Sequence, residues 1–386
     1  MGETNREKKV VISDYYYENL DLERQVLSEI QDTELFDYHC KTEDEVIEAA
    51  GDADVLIVQF SPVTRYVIEG LKRCRLIVRY AIGVDNIDVE AASEHGIYVA
   101  NVPDYSLDEV SNHAIALLMA CAKKLPALAA SVKEGKWDYS LIKPLYRMEG
   151  QVLGLAGLGR IPALVARKMS GFGMRIIAYD PYIPEETAAK LGVDLVDFET
   201  LLSESDYLSV HCPLGPETRH LFDYDKFKKM KKTSFIINTA RGGVICEKDM
   251  IRALREGEIA GAGLDVCEKE PIEPDNPLLQ MENVIITPHV AWYSEEAVKS
   301  LQKKVAEEAA RVLRGEKPLH PVNQPKFREG PEYVCSDRLR NNKYENLYSG
   351  SKQRDFSFRQ PEGGGARYFD YGQPGRIETG DCGAVF

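Results

Sequence analysis

With 386 residues, 44% hydrophobic and 28% charged, the chain is long enough for two packed domains and too apolar for global disorder. Its 62 acidic against 48 basic side chains give a net charge of −14, a surface that repels phosphate backbones and excludes nucleic acid as an expected direct partner. Eight cysteines without a CxxC pair, an N-terminus (Met1–Arg6) without an apolar segment, and no apolar run near the roughly 18 residues of a membrane span point to a cytoplasmic protein with reduced thiols and no membrane partner.

Short apolar runs recur along the chain at Lys9–Ser13, Val55–Phe60, Leu76–Ala81, Ile97–Val102, Val152–Leu158, Arg175–Tyr179, Tyr207–Cys212, Ser234–Thr239, Ala262–Val266 and Val284–Pro288. Most are β-branched and apolar at consecutive positions, as in strands covered on both faces of a parallel sheet. Between them, Glu43–Ala50, Val89–His95, Lys248–Glu256 and Ser294–Leu313 space their apolar residues at the helical period. This alternation predicts an α/β protein with doubly wound parallel sheets. Asp108–Trp137 reads as helix interrupted at Pro126, hence two helices or one kinked helix. Domain crossings are expected near Pro103–Asp108 and Ala291–Ser294. From about Phe327 the periodicity gives way to Gly363–Gly365 and scattered aromatics, and 326–386 is expected to be a disordered tail.

The run Val152–Leu158 enters Gly157-Leu158-Gly159-Arg160-Ile161-Pro162 and then a helical segment, and the next run ends at Tyr179-Asp180. Strand, glycine turn, helix, strand and acidic residue form a dinucleotide fingerprint in its proper setting. Gly157 permits the turn, Gly159 lets the backbone approach a pyrophosphate, and the helix N-terminus offers unpaired N–H groups. A carboxylate at Asp180 accepts ribose hydroxyls and repels a 2′-phosphate, so NAD is expected rather than NADP. Pro162 replaces the third fingerprint glycine, which leaves the affinity of the turn for NAD open.

Three later segments place reactive side chains just beyond strands, where parallel sheets bind ligands. They are Asn238-Thr239-Ala240-Arg241-Gly242-Gly243, Asp265-Val266-Cys267-Glu268-Lys269-Glu270-Pro271 and Thr287-Pro288-His289-Val290-Ala291-Trp292. Arg offers a planar fork to a carboxylate, His exchanges a proton near neutral pH, and an acid beside it holds the ring and favours its charged form. Either Glu268 or Glu270 can be that acid. His113 reads as a packed core residue, and no HExxH, Cys/His cluster or calcium loop suggests a metal.

Together with Val210-His211-Cys212-Pro213-Leu214, these motifs resemble the D-isomer-specific 2-hydroxyacid dehydrogenase family over roughly Val10 to Pro325. The resemblance implies a Rossmann NAD-binding domain (105–291) inserted into a discontinuous, flavodoxin-like substrate domain (1–104 and 292–325). It implies that Arg241 binds substrate, that His289 is the acid/base and that Glu270, rather than Glu268, is its partner. Asp265 corresponds to a residue holding the nicotinamide carboxamide, and Arg160 and Ile161 to pyrophosphate contacts. His211, Cys212, Pro213, Thr239 and Ala240 fall in cofactor-lining segments. The loop Tyr80-Ala81-Ile82-Gly83-Val84-Asp85-Asn86 is similar to one whose amides, here those of Ile82 and Gly83, bind the substrate carboxylate. Trp292 is similar to a pocket-lining residue of the C-terminal-binding-protein-like branch. The implied activity is NAD-dependent interconversion of a small 2-oxo and 2-hydroxy acid by a homodimer. An NADH-sensing, corepressor-like protein with little turnover is the alternative. Which acid is used stays open.

Overall fold

The computed structural model describes residues 7–325; the expected tail at 326–386 lies outside the described residues. Among the described residues twelve strands form two parallel sheets. The first contains β1 (Lys8–Ile12), β2 (Thr33–Asp37), β3 (Val55–Val58), β4 (Leu76–Arg79) and β5 (Tyr98–Ala100), ordered β2-β1-β3-β4-β5. The second contains β6 (Val152–Ala156), β7 (Arg175–Tyr179), β8 (Asp194–Leu195), β9 (Tyr207–Val210), β10 (Phe235–Asn238), β11 (Gly261–Leu264) and β12 (Val284–Ile286), ordered β12-β11-β10-β9-β6-β7-β8. The first order is flavodoxin-like and the second is the Rossmann order with a seventh strand. In each sheet the direction of winding reverses beside the first strand, so the loops after β1 and β3, and after β6 and β9, diverge to leave a crevice at the carboxyl ends.

Strands such as the wholly apolar β3 (Val-Leu-Ile-Val) and β9 (Tyr-Leu-Ser-Val) are buried at every position, because helices cover both faces. β2 (Thr-Glu-Leu-Phe-Asp) alternates half-buried and exposed residues at one edge. β8 is a two-residue edge strand.

The helix Leu107–Lys123 follows β5 and packs Ala114, Leu117, Leu118 and Cys121 into a core shared with Leu153, Leu155 and Ile237 of the second sheet. It stops at Lys124, whose backbone turns left-handed (φ 50°), and the helix Leu125–Lys133 leaves at 60° with Pro126 in its first turn. Proline is admitted there because its missing N–H would have no helical partner. No single helix among the described residues is long and apolar enough to cross a membrane.

The helix Glu295–Leu313 returns to the first sheet. Its Leu301, Val305, Ala309 and Val312 share a core with Val10, Ile12, Leu76 and Val78. Beyond it, Val322 N–H donates to the Val99 carbonyl (2.8 Å) and Val99 N–H to Asn323 Oδ1 (2.8 Å), so the chain closes along β5. A buried polar knot ties the same helix to the end of β4. Tyr80 Oη donates to Glu23 (2.7 Å), and Gln302 Nε2 donates to the other Glu23 oxygen (3.1 Å). Tyr80 begins the loop containing Ile82 and Gly83, so that loop is rooted in a packed, hydrogen-bonded base.

Candidate active site

The nucleotide crevice starts at the turn after β6. Gly157 lies at φ +95°, where L side chains are rarely found, and a Cβ there would press to 3.3 Å on the backbone of His211 and Cys212. The His211-Cys212 segment therefore faces the glycine turn across a close backbone approach. Gly159 is the N-cap of the helix Arg160–Met169, no side chain caps that end, and a Cβ on Gly159 would meet nothing within 4 Å. The N–H groups at the start of the helix, Arg160 and Ile161 included, thus face open space of the kind a phosphate fills. Pro162 is the buried third residue of this helix, and Ala163 N–H still reaches the Gly159 carbonyl (3.1 Å). Its missing N–H belongs to the first turn, where no helical partner exists, so replacing the fingerprint glycine costs the helix no hydrogen bond.

Asp180 braces the turn from the end of β7. Its two carboxylate oxygens accept Leu158 N–H (2.8 Å) and Tyr182 N–H (2.9 Å). Arg160 points its guanidinium at the Pro103 carbonyl (2.7 Å), on the segment that links the two sheets. His211 shares a 2.8 Å hydrogen bond with the Ser209 hydroxyl, and burial pulls its ring down to about 3, so it is neutral near physiological pH. Thr239 Oγ1 is buried and has no partner. Such orphans are rare, and one in this crevice fits a missing polar ligand. Its neighbour Ala240 donates its N–H to Asn238 Oδ1 (3.0 Å), while Asn238 Nδ2 donates to the Arg241 carbonyl (3.0 Å). Asn238, a residue not singled out from the sequence, therefore shapes the turn that aims Arg241. The open helix end, the braced turn and the orphaned hydroxyl together fit a dinucleotide.

Beyond β10, a Cβ on Gly242 would run into the Cys267 carbonyl, so glycine lets the Arg241 loop lie against the loop after β11. Arg241 Nη1 donates to the Ala240 carbonyl (2.7 Å), and its other amino group lies against Gly83, where a Cβ would collide with it. The Gly83 loop is itself clamped. Arg79 donates from Nη1 to the Gly83 carbonyl (2.9 Å) and from Nε to the Gln59 carbonyl (3.1 Å), and Asn101 Nδ2 donates to the Ile82 carbonyl (2.5 Å). Ile82, Gly83 and Arg241 are thus brought together from the loops of two different sheets.

His289 sits in a left-handed turn (φ 53°) after β12. A non-glycine residue there is uncommon and has to be held. Asp265, at the end of β11, holds it. The Asp265 carbonyl accepts His289 N–H (2.8 Å), and its carboxylate accepts Val290 N–H (3.0 Å), Ala291 N–H (2.8 Å) and the Thr287 hydroxyl (2.5 Å). His113, expected in the core, instead meets the Thr287 hydroxyl at 2.9 Å and lies 3.4 Å from Asp265. The Asp265 side chain is fully buried, and its carboxylate holds the His289 loop.

The His289 ring meets Glu270 at 2.6 Å (Nδ1 to Oε2), while Cys267 N–H donates to the other Glu270 oxygen (3.0 Å). Burial raises the Glu270 carboxyl. The hydrogen bond and charge of His289, the Cys267 amide and the Arg241 guanidinium outweigh it and hold the group below the usual carboxylate range. Glu268 turns away, to His220 (2.6 Å) and Glu247 N–H (3.1 Å). Trp292 donates from its indole N–H to the His289 carbonyl (2.9 Å) and stands 6.4 Å from the Tyr105 ring, making an aromatic wall beside the histidine. Among the described residues no cluster of three or more His, Cys, Asp or Glu could hold a metal.

A sequence model of the D-isomer specific 2-hydroxyacid dehydrogenase NAD-binding domain matches residues 115–291. A glyoxylate reductase of Korarchaeum cryptofilum is 43% identical over 283 residues, covering 72% of this chain and 85% of the relative. The chain belongs to the D-isomer-specific 2-hydroxyacid dehydrogenase family. Its second sheet is therefore built in the NAD-binding domain of an oxidoreductase family that acts on the CH–OH group of donors. A D-3-phosphoglycerate dehydrogenase of Methanocaldococcus jannaschii is 42% identical over 332 residues, 81% of this chain, but the chain spans only 63% of that relative's length. The crystal structure of a D-lactate dehydrogenase from Aquifex aeolicus, complexed with NAD and lactic acid, superimposes with a TM-score of 0.71 at 27% identity, covering 80% of this chain and 96% of that one.

Proposed function

We propose that this family member reduces a small 2-oxo acid to the D-2-hydroxy acid with NADH, and runs the reverse reaction with NAD. The observation carrying this reading is the 2.6 Å His289–Glu270 pair, held in a loop built by Asp265, with Arg241 set against Gly83 nearby. His211, by contrast, is neutral and its partner is the Ser209 hydroxyl, whereas His289 pairs with the Glu270 carboxylate.

In this reading the amides of Ile82 and Gly83 and the Arg241 fork seat the substrate carboxylate, and Arg241 steadies negative charge developing on the carbonyl oxygen. The dinucleotide, held by Gly157, Gly159, the start of the helix Arg160–Met169, Asp180 and Thr239, supplies the hydride. His289 gives its proton to the carbonyl oxygen from Nε2, which has no partner among the described residues, while Nδ1 stays on Glu270. Glu270, held ionised, favours the charged ring before transfer. Trp292 and Tyr105 restrict the side chain of the acid and keep water from its flank.

The named relatives act on glyoxylate and D-3-phosphoglycerate, and they give no support to a sensor without turnover. Loss of NADH absorbance should be measured with glyoxylate, hydroxypyruvate and pyruvate, and D-3-phosphoglycerate should be tested with NAD. Turnover of one acid, with NADH preferred to NADPH, is expected from the Asp180 carboxylate. NADH binding without turnover of any acid would overturn the assignment.

A second copy of the chain is proposed as a partner. The helix Leu125–Lys133 buries none of its residues; its Leu125 and Val132 are exposed, as are Trp137 and Tyr139 after it, Trp137 by 89%. Light scattering should return twice the chain mass; a monomer at micromolar concentration would reject this.

A further inference from the structure

The place assigned to the substrate carboxylate already has a carboxylate in it. Asp85 Oδ2 lies 3.3 Å from Arg241 Nε and 3.6 Å from Arg79 Nη1. It is 2.6 Å from the point where a Cβ on Gly83 would sit, and an amino group of Arg241 crowds the same point. The acid and the Arg241 fork therefore meet directly over Gly83, whose amide is a proposed carboxylate donor.

The two cations differ in freedom. Arg79 is only 13% exposed and is fixed by carbonyls of Gln59 and Gly83. Arg241 is 30% exposed and Asp85 is 53% exposed. A pair this exposed is weak, because water competes for both partners. Asp85 lies between the two guanidiniums, so leaving Arg241 does not leave it without a cation.

We infer that Asp85 is an exchangeable internal ligand: in the open site it occupies Arg241 in place of the substrate carboxylate, and on substrate arrival it yields Arg241 and stays with Arg79. This rests on the reading of Arg241 and Gly83 as the carboxylate seat. A resident anion keeps the two guanidiniums from facing each other uncompensated, at the expense of affinity for the oxo acid. The opposite role, in which Asp85 only orients Arg241, predicts the opposite sign on its removal.

The experiment uses oxamate, an unreactive isostere of a small 2-oxo acid, titrated by NADH fluorescence into wild type, Asp85→Asn and Asp85→Glu, each saturated with NADH. Asp85→Asn should bind oxamate about 2- to 5-fold more tightly, the size expected when a weak exposed pair no longer has to be broken. Asp85→Glu, which keeps the acid, should stay near wild type. In a crystal structure with NADH and oxamate, the Asp85 carboxylate should have left Arg241 and remain beside Arg79. Equal or weaker oxamate binding by Asp85→Asn, or an Asp85–Arg241 bond that persists beside bound oxamate, overturns the exchange while leaving the carboxylate seat intact. Wild type that binds NADH but no oxamate overturns the seat itself, and the exchange with it.

Discussion

Replacing His289 by asparagine should lower the reductase rate by about 10²–10⁴-fold, the usual worth of a positioned general acid. NADH affinity should stay within about twofold of wild type, because the side chain removed belongs to proton transfer and not to the nucleotide crevice. Asparagine is the informative choice because the His289 backbone lies at φ 53°. Asparagine visits that left-handed region readily, whereas alanine would add backbone strain to the loss of the ring. The three loop hydrogen bonds to the Asp265 carboxylate come from Val290, Ala291 and Thr287, so none depends on the imidazole. Stopped-flow transients with NADH and the best oxo acid, beside NADH fluorescence titrations, separate the two effects. Unaltered turnover would remove His289 from the chemistry.

The same pair fixes the sign of the pH dependence of stability. Glu270 is held below its ordinary value of 4.5 in the folded protein. A group with a depressed folded value binds its proton more readily when unfolded, so its stabilisation is present above 4.5 and is lost as pH falls through the depressed value. Thermal melts across that window should show a smaller acid-side loss for Glu270→Gln.

Much of this arrangement was legible because each part rests on local chemistry. Ten apolar runs found ten strands, since strands covered on both faces must be apolar at consecutive positions. The two strands that escaped, β2 and β8, lie at sheet edges, where half the residues face water and the apolar run dissolves into Thr-Glu-Leu-Phe-Asp and Asp-Leu. Glu268 and Glu270 stand two residues apart after the same strand. Spacing alone did not choose between them, and it is the fold around Cys267 that sends one to His220 and the other to His289. Asp85 and Arg241 are separated by 156 positions, so no window in the sequence could pair them. His113 looked like an ordinary core residue because its partner, Thr287, lies 174 positions away. Asp265 was marked by its place after β11, but its work, holding a left-handed turn, is visible only once that turn exists.

Arg241→Gln should lower kcat/KM for the oxo acid by about 10³-fold, with both KM and kcat affected. The rise in KM follows from losing a charge-assisted fork on the carboxylate, and the fall in kcat from losing the positive group beside the carbonyl oxygen as charge develops there. Glutamine retains an N–H donor only at the level of the Arg241 Nε, so the variant removes the charge and the terminal fork together. Arg241→Lys should recover only part of the loss, because an ammonium is a point charge and cannot present two parallel N–H groups. Removing Arg241 also takes a cation from beside Glu270, so the carboxyl should rise toward its ordinary value and the acid-side stability limit should move to higher pH. The turn itself should survive, since Asn238 grips the backbone carbonyl of residue 241 and not its side chain. Steady-state kinetics, oxamate titration and acid melts of the two variants measure these effects independently. A variant that lost NADH affinity together with turnover would place Arg241 in the nucleotide crevice, and the carboxylate seat over Gly83 would then need another cation, for which Arg79 is the adjacent candidate.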